Sequence, residues 1–186
     1  MIIRELTLKD SSLFKEAVDL LNRTQGEGIF PPDYVGSKIN SPSSYVVAAF
    51  EGEQLLGIGI AEITDSFDFY LPFDPNIVKE LTGKLVGSFS TLAVLEGRQG
   101  QGIGQKISLE RLRWLKERCC KTILGVSWVS GLGHTSDRVF EKLNFKAVKK
   151  VDHFFGKMSV ERNFLCPGCK VIPCTCSGIL FRWDQK

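Results

Sequence analysis

Leu92-Ala93-Val94-Leu95-Glu96-Gly97-Arg98-Gln99-Gly100-Gln101-Gly102-Ile103-Gly104 is the stretch whose reading decides the fold. An apolar, strand-like run ends near Leu95. A helix follows the glycines, with Ile103, Ile107, Leu112 and Leu115 at helical spacing on one side and Arg111, Arg113, Lys116 and Arg118 expected on the outer face. The glycines therefore lie where backbone N–H groups lack intrahelical partners, a place that attracts anions. Without Cβ atoms they let phosphate oxygens approach the main chain and let the turn adopt positive φ.

Spacing separates the phosphate-binding loops that compete for this run. A P-loop needs Gly, four residues, then Gly-Lys-Ser/Thr, but Gln105 stands five residues after Gly100, and Gly102 after Gly97 is followed by Ile103. A dinucleotide fingerprint needs a third glycine where Gln105 or Ile107 stands, and no early βαβ unit surrounds the run. A tight strand-to-helix turn that binds nothing is the plain alternative.

Gln99-Gly100-Gln101-Gly102-Ile103-Gly104 resembles the acetyl-CoA signature of the Gcn5-related N-acetyltransferase (GNAT) family: Gln or Arg, two residues, Gly, one residue, Gly or Ala. The element order over residues 1–155 resembles that family too, as does Phe140-Glu141-Lys142-Leu143-Asn144-Phe145. The resemblance implies an α/β fold with a mixed, mostly antiparallel, twisted sheet of about seven strands flanked by about four helices. It also implies acetyl-CoA as co-substrate, bound by Leu92, Val94, Gln99, Gly100, Gln101, Gly102, Ile103 and Gly104. The main chain around Leu92 to Val94 would hold the pantetheine arm, one amide polarising the thioester carbonyl for direct attack by an amine.

Two departures from the family pattern bear on mechanism. Phe140 stands where many members carry a tyrosine that protonates the leaving thiolate, and a CoA thiol is acidic enough for unassisted departure. The strand Ser88 to Val94 has no carboxylate, so Glu62, late in the preceding strand, is the candidate general base; a strand-end carboxylate in a salt bridge is the alternative. His134, read as a loop residue, and His153, read as a sheet residue, are rivals.

Outward from the loop, Ile2 to Leu6 reads as a strand. Asp10 or Ser11 can cap a helix carrying Leu13, Ala17, Leu20 and Leu21, and a polar stretch runs from Gln25 to Ser44. Tyr45 to Phe50 and Leu55 to Ile63 flank Glu51-Gly52-Glu53-Gln54 as a hairpin. A loop region follows with a short helix at Ile77 to Leu81. In it Asp65-Ser66-Phe67-Asp68-Phe69-Tyr70 either suits a cationic amine or simply packs its rings inward. Thr122 to Val129 is a strand, Ser136 to Leu143 a helix with Asn144 as left-handed cap, Phe145 to Phe155 a strand, and Gly178 to Trp183 the last strand.

Cys166-Pro167-Gly168-Cys169 and Cys174-Thr175-Cys176 place four thiols in one short stretch, and the Cys-Pro-Gly-Cys knuckle points two of them at one centre. A structural zinc site with these four ligands is the natural reading; Fe–S, reactive thiols, a site shared with another chain and disulfides stay open. The cluster reads as an insertion, residues 156–178, between the last two strands of a single acetyltransferase domain spanning 1–186. Cys119 and Cys120, ending the long helix, read as buried or half-buried thiols.

The chain has 186 residues, 43% of them apolar, enough for one sizeable core, and a net charge of +3 makes nucleic acid an unlikely partner despite Lys146, Lys149 and Lys150. Apolar runs stop short of membrane length and no leader is apparent, so a soluble cytoplasmic protein without a membrane partner is expected. Its expected acceptor is a primary amine of a small molecule or protein, and homodimer formation is open. An acyl-CoA-binding sensor with little turnover is the alternative, for which Phe140 speaks.

Overall fold

Side-chain alternation in the central strands sets the layering. A computed structural model describes residues 1–131 and 136–185. Its elements are β1 (Ile2–Glu5), α1 (Phe14–Gln25), α2 (Tyr34–Asn40), β2 (Ser44–Glu51), β3 (Gln54–Thr64), α3 (Ile77–Leu81), β4 (Val86–Val94), α4 (Ile103–Glu117), β5 (Thr122–Val129), α5 (Asp137–Lys142), β6 (Lys146–Val151), α6 (Gly156–Glu161) and β7 (Ser177–Asp184). On β2, Val46, Ala48 and Phe50 bury one face against Leu20 and Leu21 of α1, while Tyr45, Val47 and Ala49 bury the other against Ile103, Ile107 and Leu115 of α4. Both faces being covered, these strands read as near-continuous apolar runs.

The seven strands form one sheet in the order β1-β2-β3-β4-β5-β7-β6. Every neighbouring pair is antiparallel except β4 with β5, which are parallel and joined through α4. A parallel pair needs such a crossover, whereas an antiparallel pair can be joined by a tight hairpin, as β2 and β3 are between Glu51 and Gln54. β7 returns between β5 and β6, so the cysteine stretch lies in the connection that carries the chain from β6 to this inner position.

The sheet is as expected, and the helices exceed the expected four because two short ones, α2 and α6, join the predicted set. α2 lies in the polar 25–44 stretch, where only Val35 and its neighbours offered an apolar signal. α1 starts at Phe14, later than its predicted cap; a 3-10 turn, Leu8–Leu13, precedes it, and the Thr7 amide donates to Asp10 Oδ2 at 2.8 Å. β6 stops at Val151, short of the predicted Phe155, because the chain turns there with His153 at φ 55°.

α4 lies close to β3. A Cβ at Gly59 would come within 2.5 Å of Ile107 Cγ2 and 3.1 Å of Arg111 Nε, so only glycine admits the helix at this distance. Burial of a side chain such as Ile107 contributes about 1.5–3 kcal/mol. Arg111 is a correction to the sequence reading: it is 2% exposed and points into the sheet, whereas Arg113, Lys116 and Arg118 are on the exposed face as expected.

Candidate active site

β4 and β5 are paired only from Val86↔Thr122 to Phe89↔Gly125, and beyond that point they separate. At the same place β4 carries one extra residue. Ile60 faces Thr91 and Ala61 faces Phe89, which leaves Ser90 bulged and exposed between them. The Leu95 amide donates to the Leu56 carbonyl at 2.8 Å, and ladder alternation from that bond turns the amides and carbonyls of Leu92 and Val94 away from β3, toward the gap. Side chains meet those carbonyls: Gln25 Nε2 donates to Leu92 at 3.2 Å and Gln99 Nε2 to Val94 at 3.3 Å.

The glycine run closes one end of this gap. Gly97, Gly100 and Gly102 have φ of 77°, 76° and 80°, and Gly102 immediately precedes α4. A Cβ at Gly100 or Gly102 would meet nothing within 4 Å, so the surface of the loop is open, while one at Gly104 would lie 3.3 Å from Leu92 Cδ2 and 3.6 Å from Val94 Cγ2. Gly104 thus holds the helix against β4. α4 is 15 residues long, and its first amides and dipole point into the loop. Gln99 and Gln101 are exposed at the rim; Ile103 buries its side chain in the core.

The other end of the gap gathers polar side chains from β2, β3, β4, α1, α2 and the loop that carries Tyr70. Glu62 on β3 is opposite Ser88 on β4 and Ser44 on β2. It accepts from Lys38 Nζ at 2.5 Å and from Ser44 Oγ at 3.3 Å, so it is an ion-paired carboxylate. Tyr70 Oη lies 2.7 Å from Ser88 Oγ, and burial pushes its phenol up to about 12. The Tyr34 phenol is also raised, by burial against a hydrogen bond with Ser90. Gln25 reaches the Thr91 hydroxyl from α1. Sequence reasoning missed Tyr34, Lys38 and Gln25, and placed Tyr70 only within the aromatic loop, because nothing in their spacing says which loop and helix fold over β4.

Phe140 is buried beside Phe89↔Gly125, the last β4–β5 pair before the gap. Its ring is 5% exposed and stacks on Phe181, with centroids 4.7 Å apart and planes at 6°, among Phe89 and Phe145. His134 lies outside the described residues, and His153 is exposed in the turn after β6 instead of in the sheet. Of the aromatic loop, Phe67 and Tyr70 are buried, while Phe69 is 47% exposed and packs edge-on to Phe154. That is inward packing, with Asp65 and Asp68 left exposed.

The four C-terminal cysteines converge. Their Sγ atoms all lie within 4.8 Å of one another, with Cys166 to Cys176 at 3.6 Å and Cys169 to Cys174 at 3.5 Å. Four sulfurs around one tetrahedral Zn²⁺ at about 2.3 Å would be separated by about 3.8 Å, so the donor set fits that ion. The Lys170 amide donates to the Cys166 carbonyl at 2.9 Å to close the knuckle, and the Cys174 amide donates to Ser159 Oγ of α6 at 2.8 Å. Burial raises the Cys174 thiol and pushes Cys176 up to about 11. Burial also opposes ionisation of Cys169, but hydrogen bonds at Val171 and Thr175 outweigh it and bring that thiol to about 6. Of the helix-end pair, Cys120 is buried and Cys119 is exposed, against the expectation for the latter.

Residues 14–145, which include the separating strand pair and the glycine loop, match the acetyltransferase (GNAT) family. The chain belongs to the GNAT family. Solved structures agree on the fold. A protein from Streptococcus mutans UA159, smu.2055, is 17% identical with 99% of each chain covered and a TM-score of 0.67. The aminoglycoside 6'-N-acetyltransferase from Enterococcus faecium is 16% identical, covering 99% of this GNAT chain and 97% of its own, with a TM-score of 0.65. Arabidopsis thaliana NAA60 in complex with acetyl-CoA is 16% identical, covering 98% and 97%, with a TM-score of 0.64. No curated protein matches this GNAT chain by sequence. None of its described helices is long and apolar enough to cross a membrane.

Proposed function

We propose that this GNAT protein transfers an acetyl group from acetyl-CoA to a primary amine of a small molecule or protein by direct attack on the thioester. The observation that carries the reading is the separation of β4 from β5 next to the open loop at Gly100 and Gly102. Phosphates of the co-substrate would take the amides of the loop and of the first turn of α4. The pantetheine arm would lie along the β4 edge at Leu92 and Val94, an amide there stabilising the developing oxyanion. The acceptor would enter past Tyr34, Tyr70 and Ser90, with Glu62 taking its proton and Lys38 as the partner that Glu62 must share.

With Phe140 packed in the core, no tyrosine hydroxyl from α5 reaches a departing thiolate, and the CoA thiol leaves without that acid. The same observation favours a second reading, an acyl-CoA-binding sensor with little turnover. CoA-thiol release over a panel of polyamines, aminoglycosides and peptide N-termini separates the two. Acceptor-dependent release establishes the transferase, and saturable acetyl-CoA binding with no release on any acceptor establishes the sensor.

Cys166, Cys169, Cys174 and Cys176 would hold one Zn²⁺ with four thiolates and no open position, which suits a structural role. These residues fasten the 156–178 excursion onto the sheet within a single domain, where Cys166, Cys174 and Cys176 join the same core as α1. Metal analysis of the purified chain tests this: one zinc per chain is expected, and a metal-free, fully folded chain contradicts it.

A further inference from the structure

Arg111 is the one buried cation on α4, and its environment is unusual. Nη1 donates to the Thr91 carbonyl at 2.9 Å and to the Ile60 carbonyl at 3.2 Å, and Nη2 donates to Ser108 Oγ at 2.6 Å. Its guanidinium carbon lies 4.1 Å from the centre of the Phe89 ring. Among the described residues, Nε has no hydrogen-bond partner and no carboxylate neutralises the charge. A buried, uncompensated charge is costly, and apolar residues of similar volume commonly serve stability as well or better. Stability therefore does not account for this residue.

Its position does. Ile60 and Thr91 are the last directly opposed pair before the Ser90 bulge, so Nη1 clamps both strands where β4 leaves its regular register. The Thr91 carbonyl belongs to the same peptide unit as the Leu92 amide. In a trans peptide the two point in opposite directions, so the carbonyl faces β3 and Arg111 while the amide faces the gap. A charge-assisted hydrogen bond to a carbonyl draws electrons through the peptide unit and strengthens its N–H as a donor, most of all where the dielectric is low.

We propose that Arg111 is a positioning residue for acetyl transfer: through the Thr91–Leu92 peptide it orients the Leu92 amide and strengthens it as the donor that polarises the thioester carbonyl. The inference rests on acetyl-CoA occupying the β4 edge. The charge of Arg111 acts on the carbonyl without touching it, and it is sheltered from water and from counter-ions that would cancel it.

The test is isotope-edited infrared spectroscopy of acetyl-CoA labelled with ¹³C at the thioester carbonyl, bound to the full chain and to Arg111→Met, with calorimetry giving affinity in the same samples. In the wild type the carbonyl stretch should fall below that of free acetyl-CoA. In Arg111→Met it should return most of the way to the free value while affinity changes less than about threefold, since the loop contacts are intact. Arg111→Gln, which keeps a donor but not the charge, serves if the methionine variant does not fold, and should also lose most of the shift. A wild-type protein that binds with no shift, or a neutral variant that binds with the full shift, overturns the proposal. Absence of binding by the wild type overturns instead the acetyl-CoA reading on which it depends, and the proposal with it.

Discussion

Lys38 Nζ lies 2.5 Å from Glu62 Oε1, an ion pair that links α2 to the end of β3 beside the bulge of β4. Both side chains are about one quarter exposed, at 25% and 23%, so water reaches the pair and the carboxylate can exchange lysine for an incoming ammonium. Glu62→Gln removes the proposed base and should leave the fold and the loop unchanged. The expected result is a fall in kcat of about a hundredfold with acetyl-CoA affinity unaltered, read from steady-state thiol release and calorimetry. An unchanged kcat would return Glu62 to a purely structural ion pair.

Phe140 cannot simply be turned back into the tyrosine of its relatives. The tip of its ring lies against β5: a Cβ built at Gly125 would fall 2.5 Å from Cε1 and 2.6 Å from Cζ. A hydroxyl on Cζ would enter that packed space without a partner, so Phe140→Tyr should destabilise by about 1–3 kcal/mol and raise turnover little. Chemical denaturation together with thiol-release rates checks this. A stable, faster Phe140→Tyr enzyme would mean that the α5 helix moves in the working protein.

Gly102→Ala addresses the loop. At φ 80° an alanine costs about 1–2 kcal/mol relative to glycine, and its methyl group meets no protein atom. The chain should remain folded. If phosphates lie on the exposed amides, the methyl and the shifted backbone together should weaken acetyl-CoA about tenfold or more, which is about 1.4 kcal/mol or more of binding free energy. Equal affinities for Gly102→Ala and wild type would move the phosphates off this turn.

Much of this was legible in the sequence, and what was not has physical reasons. The strand-glycine-helix run could be read because its chemistry is local: unpaired amides and positive φ belong to adjacent residues, and β5 and α3 follow from short-range pattern for the same reason. Arg111 was misread because helical spacing alone puts it next to Arg113; only the approach of Gly59 shows that α4 sits deep enough to bury it. Tyr34, Lys38 and Tyr70 lie 18 or more residues from the β3 and β4 positions they contact, so their placement depends on tertiary packing that no local pattern encodes. For the cysteines, spacing suggested a common centre, and the convergence of four sulfurs within 4.8 Å depends on the fold of the whole excursion.

Cys166→Ser tests the metal centre. Cys166 is 1% exposed and touches Cys176, so the substitution removes a proposed ligand from a largely buried set. It should abolish stoichiometric zinc and lower stability by several kcal/mol, as should exhaustive chelation of the wild type, because metal affinity at such a site is folding free energy. Retention of the wild-type melting temperature after complete metal removal would speak for free thiols.

Calorimetric titration of the full chain with acetyl-CoA tests the central claim most directly. The account predicts one saturable site per chain, weakened in Gly102→Ala and unaffected in Glu62→Gln. No saturable binding by the intact, metal-quantified wild type would contradict it.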